Sequence, residues 1–181
     1  GFAGYMKFSP NGRKLAFADN QNGKVFLFDF DNSTGTVSNK YLLAQNNSNY
    51  GLSFSPDNSK LYSTTSNGAT GTLVQFDMCA GDTTAITASN TLIAAFDGFA
   101  VPPRPRGNAM QIAPDGNIYV ARSGQDTIGI IKNPNSLNPI YIANGLSVGN
   151  GTSHMGLPNF VESYFNEPTM PLGFIGVDDS I

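Results

Sequence analysis

Phe8-Ser-Pro-Asn-Gly-Arg-Lys-Leu-Ala-Phe17 decides the fold, because the chain repeats it. It returns as Phe54-Ser-Pro-Asp-Asn-Ser-Lys-Leu-Tyr-Ser63 and, without the lysine, as Ile112-Ala-Pro-Asp-Gly-Asn-Ile-Tyr-Val120. Each copy reads as a strand, a tight turn and a second strand. Pro10, Pro56 and Pro114 preset φ near −65° at the start of the turn, and the Asn or Asp that follows can bond the backbone just ahead of it. Gly12, Asn58 and Gly116 come next, the residue types that best tolerate positive φ.

Working outward, each turn opens a run of further strands. In the first repeat Lys14–Ala18, Lys24–Asp29 and Tyr41–Ala44 read as strands; in the second, Tyr50–Phe54, Lys60–Thr64, Thr72–Asp77 and Thr91–Phe96. The third has Ala109–Ile112, Asn117–Ala121, Thr127–Ile131 and Pro139–Ala143. The three prolines stand 46 and 58 residues apart. Four short strands at that period are the signature of β-propeller blades, whereas solenoid coils are shorter. The chain is therefore expected to be all-β, a partial β-propeller. Its blades span approximately residues 4–49, 50–107 and 108–152, an inner strand of a further blade lies within 153–166, and residues 167–181 form a tail or linker. Three blades do not close a ring, since propellers have about four to eight. The remaining blades of the same propeller are thus the first expected partner. Gly1 in place of Met adds the expectation of a processed or partial polypeptide.

Composition agrees with short strands joined by polar turns. Among the 181 residues 40% are hydrophobic and only 13% charged, so Asn, Ser, Thr and Gly supply most of the polarity. A net charge of −3 offers no electrostatic footprint for nucleic acid, and no apolar run approaches the roughly 18 residues of a membrane span. The single cysteine, Cys79, excludes an internal disulfide and reads as a small buried hydrophobe.

The Phe-Ser-Pro-Asn/Asp-Gly/Asn turns followed by Lys-Leu resemble the repeats of TolB-type and lactonase-like propellers. Met155-Gly-Leu-Pro-Asn-Phe-Val-Glu-Ser-Tyr-Phe165 resembles the segment that ends the propeller region of large surface proteins of the type IX secretion pathway. That second resemblance implies a secreted or cell-surface bacterial protein and a secretion or surface complex of the outer membrane among its partners.

Residues capable of chemistry are few. His154 is the only histidine, which excludes a His pair for catalysis or metal binding within the chain. Asp29, Asp31 and Asp57 are explained as strand-end and turn caps, and no phosphate-binding glycine loop, Gly-x-Ser-x-Gly elbow or His-Glu-x-x-His is present. No catalytic residue, metal or cofactor is read from the sequence. The expectation is a non-enzymatic, rigid scaffold whose blade-end loops bind a protein or glycan. The alternatives are a lactonase-like enzyme with its active site on blades outside this chain, and a periplasmic scaffold in an envelope complex. For an enzyme the inner strands offer only Tyr5-Met-Lys7, Leu52-Ser53 and Met110-Gln111, a poor supply.

Two sets of residues are singled out. The Pro-rich insertion Ala100-Val-Pro-Pro-Arg-Pro-Arg106 is stiff, so Arg104 and Arg106, with Phe99 beside them, are the expected partner contacts. Asp82-Thr-Thr84, Asp126-Thr-Ile128 and Asp179-Ser-Ile181 match a short bacterial O-glycosylation pattern, which makes Thr83, Thr127 and Ser180 the expected acceptors.

Overall fold

The computed structural model describes residues 4–45, 48–66, 70–97, 108–158 and 162. The first sheet holds β1 (Met6–Phe8), β2 (Lys14–Asp19), β3 (Lys24–Asp31) and β4 (Thr36–Gln45), hydrogen-bonded in that order. The second holds β5 (Asn49–Phe54), β6 (Lys60–Ser66), β7 (Thr70–Asp77) and β8 (Thr91–Asp97), with a short helix α1 (Thr83–Ala88) between its last two strands. The third holds β9 (Met110–Ile112), β10 (Ile118–Val120), β11 (Thr127–Lys132) and β12 (Ile140–Ser147). All pairings are antiparallel. The protein is a partial β-propeller of three four-stranded blades.

Local chemistry builds the turn that opens each blade. Gly12 N donates to Ser9 O (2.8 Å), Asn58 N to Ser55 O and Gly116 N to Ala113 O (both 2.9 Å), and the three donors sit at φ +65°, +67° and +75°. In the first two turns the serine hydroxyl accepts from the lysine N–H that begins the second strand, Lys14 or Lys60, and donates to the side chain of Asn11 or Asp57. The repeated lysine has a matching purpose. Register places Lys14 opposite Asp29 and Lys60 opposite Asp77, and both pairs form ion pairs, the second at 3.0 Å. Blade three lacks the serine and the lysine. There Asp115 accepts instead from Asn117 N, Asn117 Nδ2 and the Tyr119 hydroxyl.

Helix α1 departs from the expected all-strand pattern. At six residues it is too short to show a 3.6-residue period in the sequence. Asp82 caps it, accepting from Ala85 N at 2.9 Å, and Ile86 is its one buried residue. Cys79, expected in the interior, is exposed in the turn just after β7. Its N–H donates to the Asp77 carboxylate at the strand end, which carries the chain out of the sheet before the thiol is reached.

Blades stack face to face. Ala16, Val25 and Leu27 of blade one pack with Leu52, Phe54, Leu61 and Phe76 of blade two. Tyr62 and Leu73, on the other face of blade two, pack with Met110, Ile112, Ile118 and Ile131 of blade three. Inner strands are tied to their neighbours at one repeating place. Tyr5 N donates to Tyr50 O (3.0 Å), and Ala109 N donates to Met155 O (2.9 Å). Between blades two and three the Thr64 hydroxyl makes the link, accepting from Gly51 N and donating to Asn108 O. A Cβ on Gly51 would lie 1.8 Å from Asn108 O, so only glycine fits there. Met155 thus stands to blade three as Tyr50 stands to blade one. No strand is assigned over His154–Pro158, where an inner strand of a further blade was expected.

Candidate functional site

The inner strands carry one polar side chain each at a matched position, three residues before the turn proline: Lys7, Ser53 and Gln111. All three are buried. β1 inverts the usual order, with Lys7 5% exposed between Met6 at 58% and Phe8 at 42%. The alternation of a strand allows only two faces, so turning Lys7 inward sends both apolar neighbours out. Ser53 is the small residue of the three, on the strand between the other two. Lys7 and Gln111 meet: Lys7 Nζ donates to Gln111 Oε1 at 2.6 Å.

Glu162 completes the cluster from the C-terminal side. Its Oε1 accepts from Lys7 Nζ at 2.9 Å, with both side chains 5% exposed or less. Gln111 is held by a further bond from its Nε2 to Ile112 O (3.2 Å). The Tyr5 ring lies 5.9 Å from Lys7 Nζ. Burial pushes the Glu162 carboxyl above its ordinary range, and Lys7 opposes that shift by attraction and by its hydrogen bond. Glu162 Oε2 is buried and accepts no hydrogen bond among the described residues. A carboxyl with a raised pKa beside an ammonium can exchange a proton and hold a developing negative charge.

Lys7 and Gln111 belong to Tyr5-Met-Lys7 and Met110-Gln111, the inner-strand stretches expected to supply too little chemistry for an enzyme. Stacking joins them into one buried cluster, a juxtaposition that neither stretch displays by itself. The signal in the sequence is a polar residue recurring at one repeat position in otherwise apolar strands. Glu162 leaves no such signal, being 155 residues from its partner.

Phe99, Arg104, Arg106 and Ser180 lie outside the described residues. Thr83 opens α1 and lines a groove of about 530 Å³ shared with Thr84, Thr87, Lys40 and Tyr41. The Thr127 hydroxyl at the start of β11 is engaged, accepting from Arg122 Nη1 (2.6 Å) and donating to Asn144 Oδ1 (3.3 Å). Among the described residues, neither Thr83 nor Thr127 joins the axial cluster. Among the described residues no three His, Cys, Asp or Glu side chains are grouped so as to hold a metal ion, and no helix is long and apolar enough to cross a membrane.

No protein-family model matches the chain, and no curated protein sequence does. Solved structures do. A candidate 6-phosphogluconolactonase of Bacteroides fragilis superposes with a TM-score of 0.52 at 18% identity, over 80% of this chain and 38% of that one. One from Bacteroides uniformis gives 0.52 at 16% identity, over 83% and 40%. TolB of Acinetobacter baumannii gives 0.45 at 17% identity, over 89% and 33%. The chain spans about two fifths of the two lactonase-named propellers. The likeness to those two establishes the fold. It also corrects the expectation of a non-enzymatic module, because the fold is shared with proteins named as lactonases.

Proposed function

We propose that the chain is part of a lactonase-like propeller enzyme that hydrolyses a cyclic ester at the ring axis. The observation that carries this reading is the buried Lys7–Gln111–Glu162 cluster, assembled from inner-strand positions of blades one and three and from the segment after blade three. Ester hydrolysis needs a group to take a proton from water and a cation to hold the oxyanion that forms. Glu162, its carboxyl raised by burial, supplies the first, and Lys7 the second. The proton taken by Glu162 returns to the ring oxygen as the ester C–O bond breaks, so the cycle balances with water alone.

The test is pH-stat titration of glucono-δ-lactone, comparing wild-type protein with Glu162→Gln. The expected result is acid release above the spontaneous rate and a fall in kcat/KM of about 100-fold in the variant, the usual scale for general acid–base catalysis. Wild-type protein that leaves the spontaneous rate unchanged overturns the reading.

Placement at the bacterial envelope or surface belongs to the same proposal, supported by the resemblance of Met155–Phe165 to type IX cargo. Thr83 remains the proposed O-glycan acceptor best supported by accessibility, since the Thr127 hydroxyl is already engaged. The Phe99, Arg104 and Arg106 loop remains the proposed contact for a protein or glycan partner.

A further inference from the structure

Glycine follows asparagine five times in this chain, after Asn11, Asn22, Asn67, Asn144 and Asn150. The pair is chemically labile. Glycine has no Cβ to shield its backbone nitrogen, and its freedom in φ and ψ lets that nitrogen swing onto the asparagine side chain before it. Folding decides which pairs can do so. Four of the five lie among the described residues, Asn67 being the one outside them.

Those four asparagines are all exposed, so contact with water does not separate them. Bonding does. Asn11 Oδ1 accepts from Ser9 Oγ (2.7 Å) and Arg13 N (3.1 Å), and Gly12 N is tied to Ser9 O at 2.8 Å. The Asn22 amide donates to Asp19 Oδ2 at 2.8 Å, while the Asn22 backbone N–H donates to Asp19 Oδ1. Asn144, within β12, accepts at Oδ1 from Arg122 Nη1 and Thr127 Oγ1. The Asn150 side chain makes no hydrogen bond among the described residues.

Its backbone is also the least restrained. Asn150 stands between Gly149, at φ +64°, and Gly151. Gly151 N reaches Val148 O only at 3.2 Å, the long limit of an ordinary N–H···O bond. The anchors of this turn lie to either side, Val148 N donating to Asp126 O (2.9 Å) and Ser153 N to Gln125 O (2.7 Å).

We propose that Asn150 is a site of spontaneous covalent modification, converting through a succinimide to aspartate and isoaspartate. Gly151 N forms a bond to Asn150 Cγ, and Nδ2 leaves as ammonia with the proton that Gly151 N gives up. Water then opens the ring. Breaking the bond from Gly151 N to Cγ yields aspartate, and breaking its bond to the backbone carbonyl carbon yields isoaspartate. Either product adds a carboxylate to the turn. Isoaspartate also lengthens the main chain by a methylene just before Ser153, whose carbonyl accepts from Gly124 N at 2.8 Å.

The test incubates the purified full chain in mildly alkaline buffer, folded and, separately, unfolded in guanidinium chloride. Electron-transfer fragmentation of its peptides follows all four asparagines and tells isoaspartate from aspartate. Unfolded, the four are expected to convert at similar rates, because each precedes glycine. Folded, Asn150 should keep its unfolded rate, while Asn11, Asn22 and Asn144 slow by about tenfold or more, as groups held by native bonds do. Slowing of Asn150 equal to theirs overturns the proposal, and so does faster conversion at any of the three. Gly151→Ala sets a Cβ beside the attacking nitrogen and should slow Asn150 by about tenfold in the unfolded chain, where its effect on folding does not matter. An unchanged rate there would mean that water hydrolyses the side-chain amide directly, which also overturns it.

Discussion

Blade two and blade one have nearly the same local sequence and very different surroundings. In blade two, Leu61 faces blade one and its neighbour Tyr62 faces blade three, and both are fully buried. In blade one, Ala16 and Leu27 are buried against blade two, while Phe8 remains 42% exposed and leans on Phe30, ring centroids 4.6 Å apart. A propeller blade is a sheet with two apolar faces, so its stability depends on how many neighbours it has. The same substitution should then cost more in the middle blade than in its flanking ones.

Tyr62→Ala should show the largest effect. It empties a fully buried site, and it removes a hydroxyl that donates to Pro134 O and accepts from Gln75 Nε2, both at 2.7 Å. A loss of about 3–5 kcal/mol is expected, against less than about 1 kcal/mol for Phe8→Ala on the open face. Urea titration of both variants checks this, and equal losses would end the contrast between the blades.

The turns sharpen it next. Gly116 has φ +75° and open space where a Cβ would stand, so Gly116→Val would be strained by the backbone alone. The expected cost is about 1–2 kcal/mol or more for a β-branched residue. Asn58→Gly relieves a φ of +67° but loses a side-chain oxygen that accepts from Asn11 N of blade one at 2.8 Å. The two effects oppose, and a net change below about 1 kcal/mol is expected. Thermal melts that rank Asn58→Gly as the more damaging would show that the inter-blade bond outweighs the turn.

The smallest difference concerns the repeated ion pairs. The side chains of Lys60 and Asp77 are 7% and 22% exposed, those of Lys14 and Asp29 38% and 33%. Backbone Cys79 N and Lys60 hold the Asp77 carboxyl below its ordinary value, and Lys14 with Asn39 do so for Asp29. A carboxyl lowered by folding contributes stability that is complete above its unfolded pKa of about 3.9 and is lost as pH falls through the folded value. Stability should therefore decline below about pH 4, and Asp77→Asn should flatten that decline more than Asp29→Asn. Melting temperatures recorded from about pH 5 down to about pH 2.5 test it, and identical profiles would place the two pairs on equal terms.

Sequence alone determined the repeated turns. The Ser-Pro-Asn/Asp-Gly/Asn turns, their positive φ at Gly12, Asn58 and Gly116, and the strands on either side follow from residues within a few positions of one another. The Lys14 and Lys60 repeats were visible too, although only the strand register revealed Asp29 and Asp77 as their partners. Helix α1 was too short to leave a period, and the exposure of Cys79 depended on where β7 stopped. The joining of the axial cluster belonged to the tertiary structure. Lys7, Gln111 and Glu162 stand 104 and 155 residues apart along the pairs that join them; the recurring repeat position marks the first two, and nothing in the sequence marks Glu162 as their partner. They meet because stacked blades bring β1 and β9 near one another and the segment after blade three returns to them. Stacking is a property of whole sheets, which no short stretch of sequence can display.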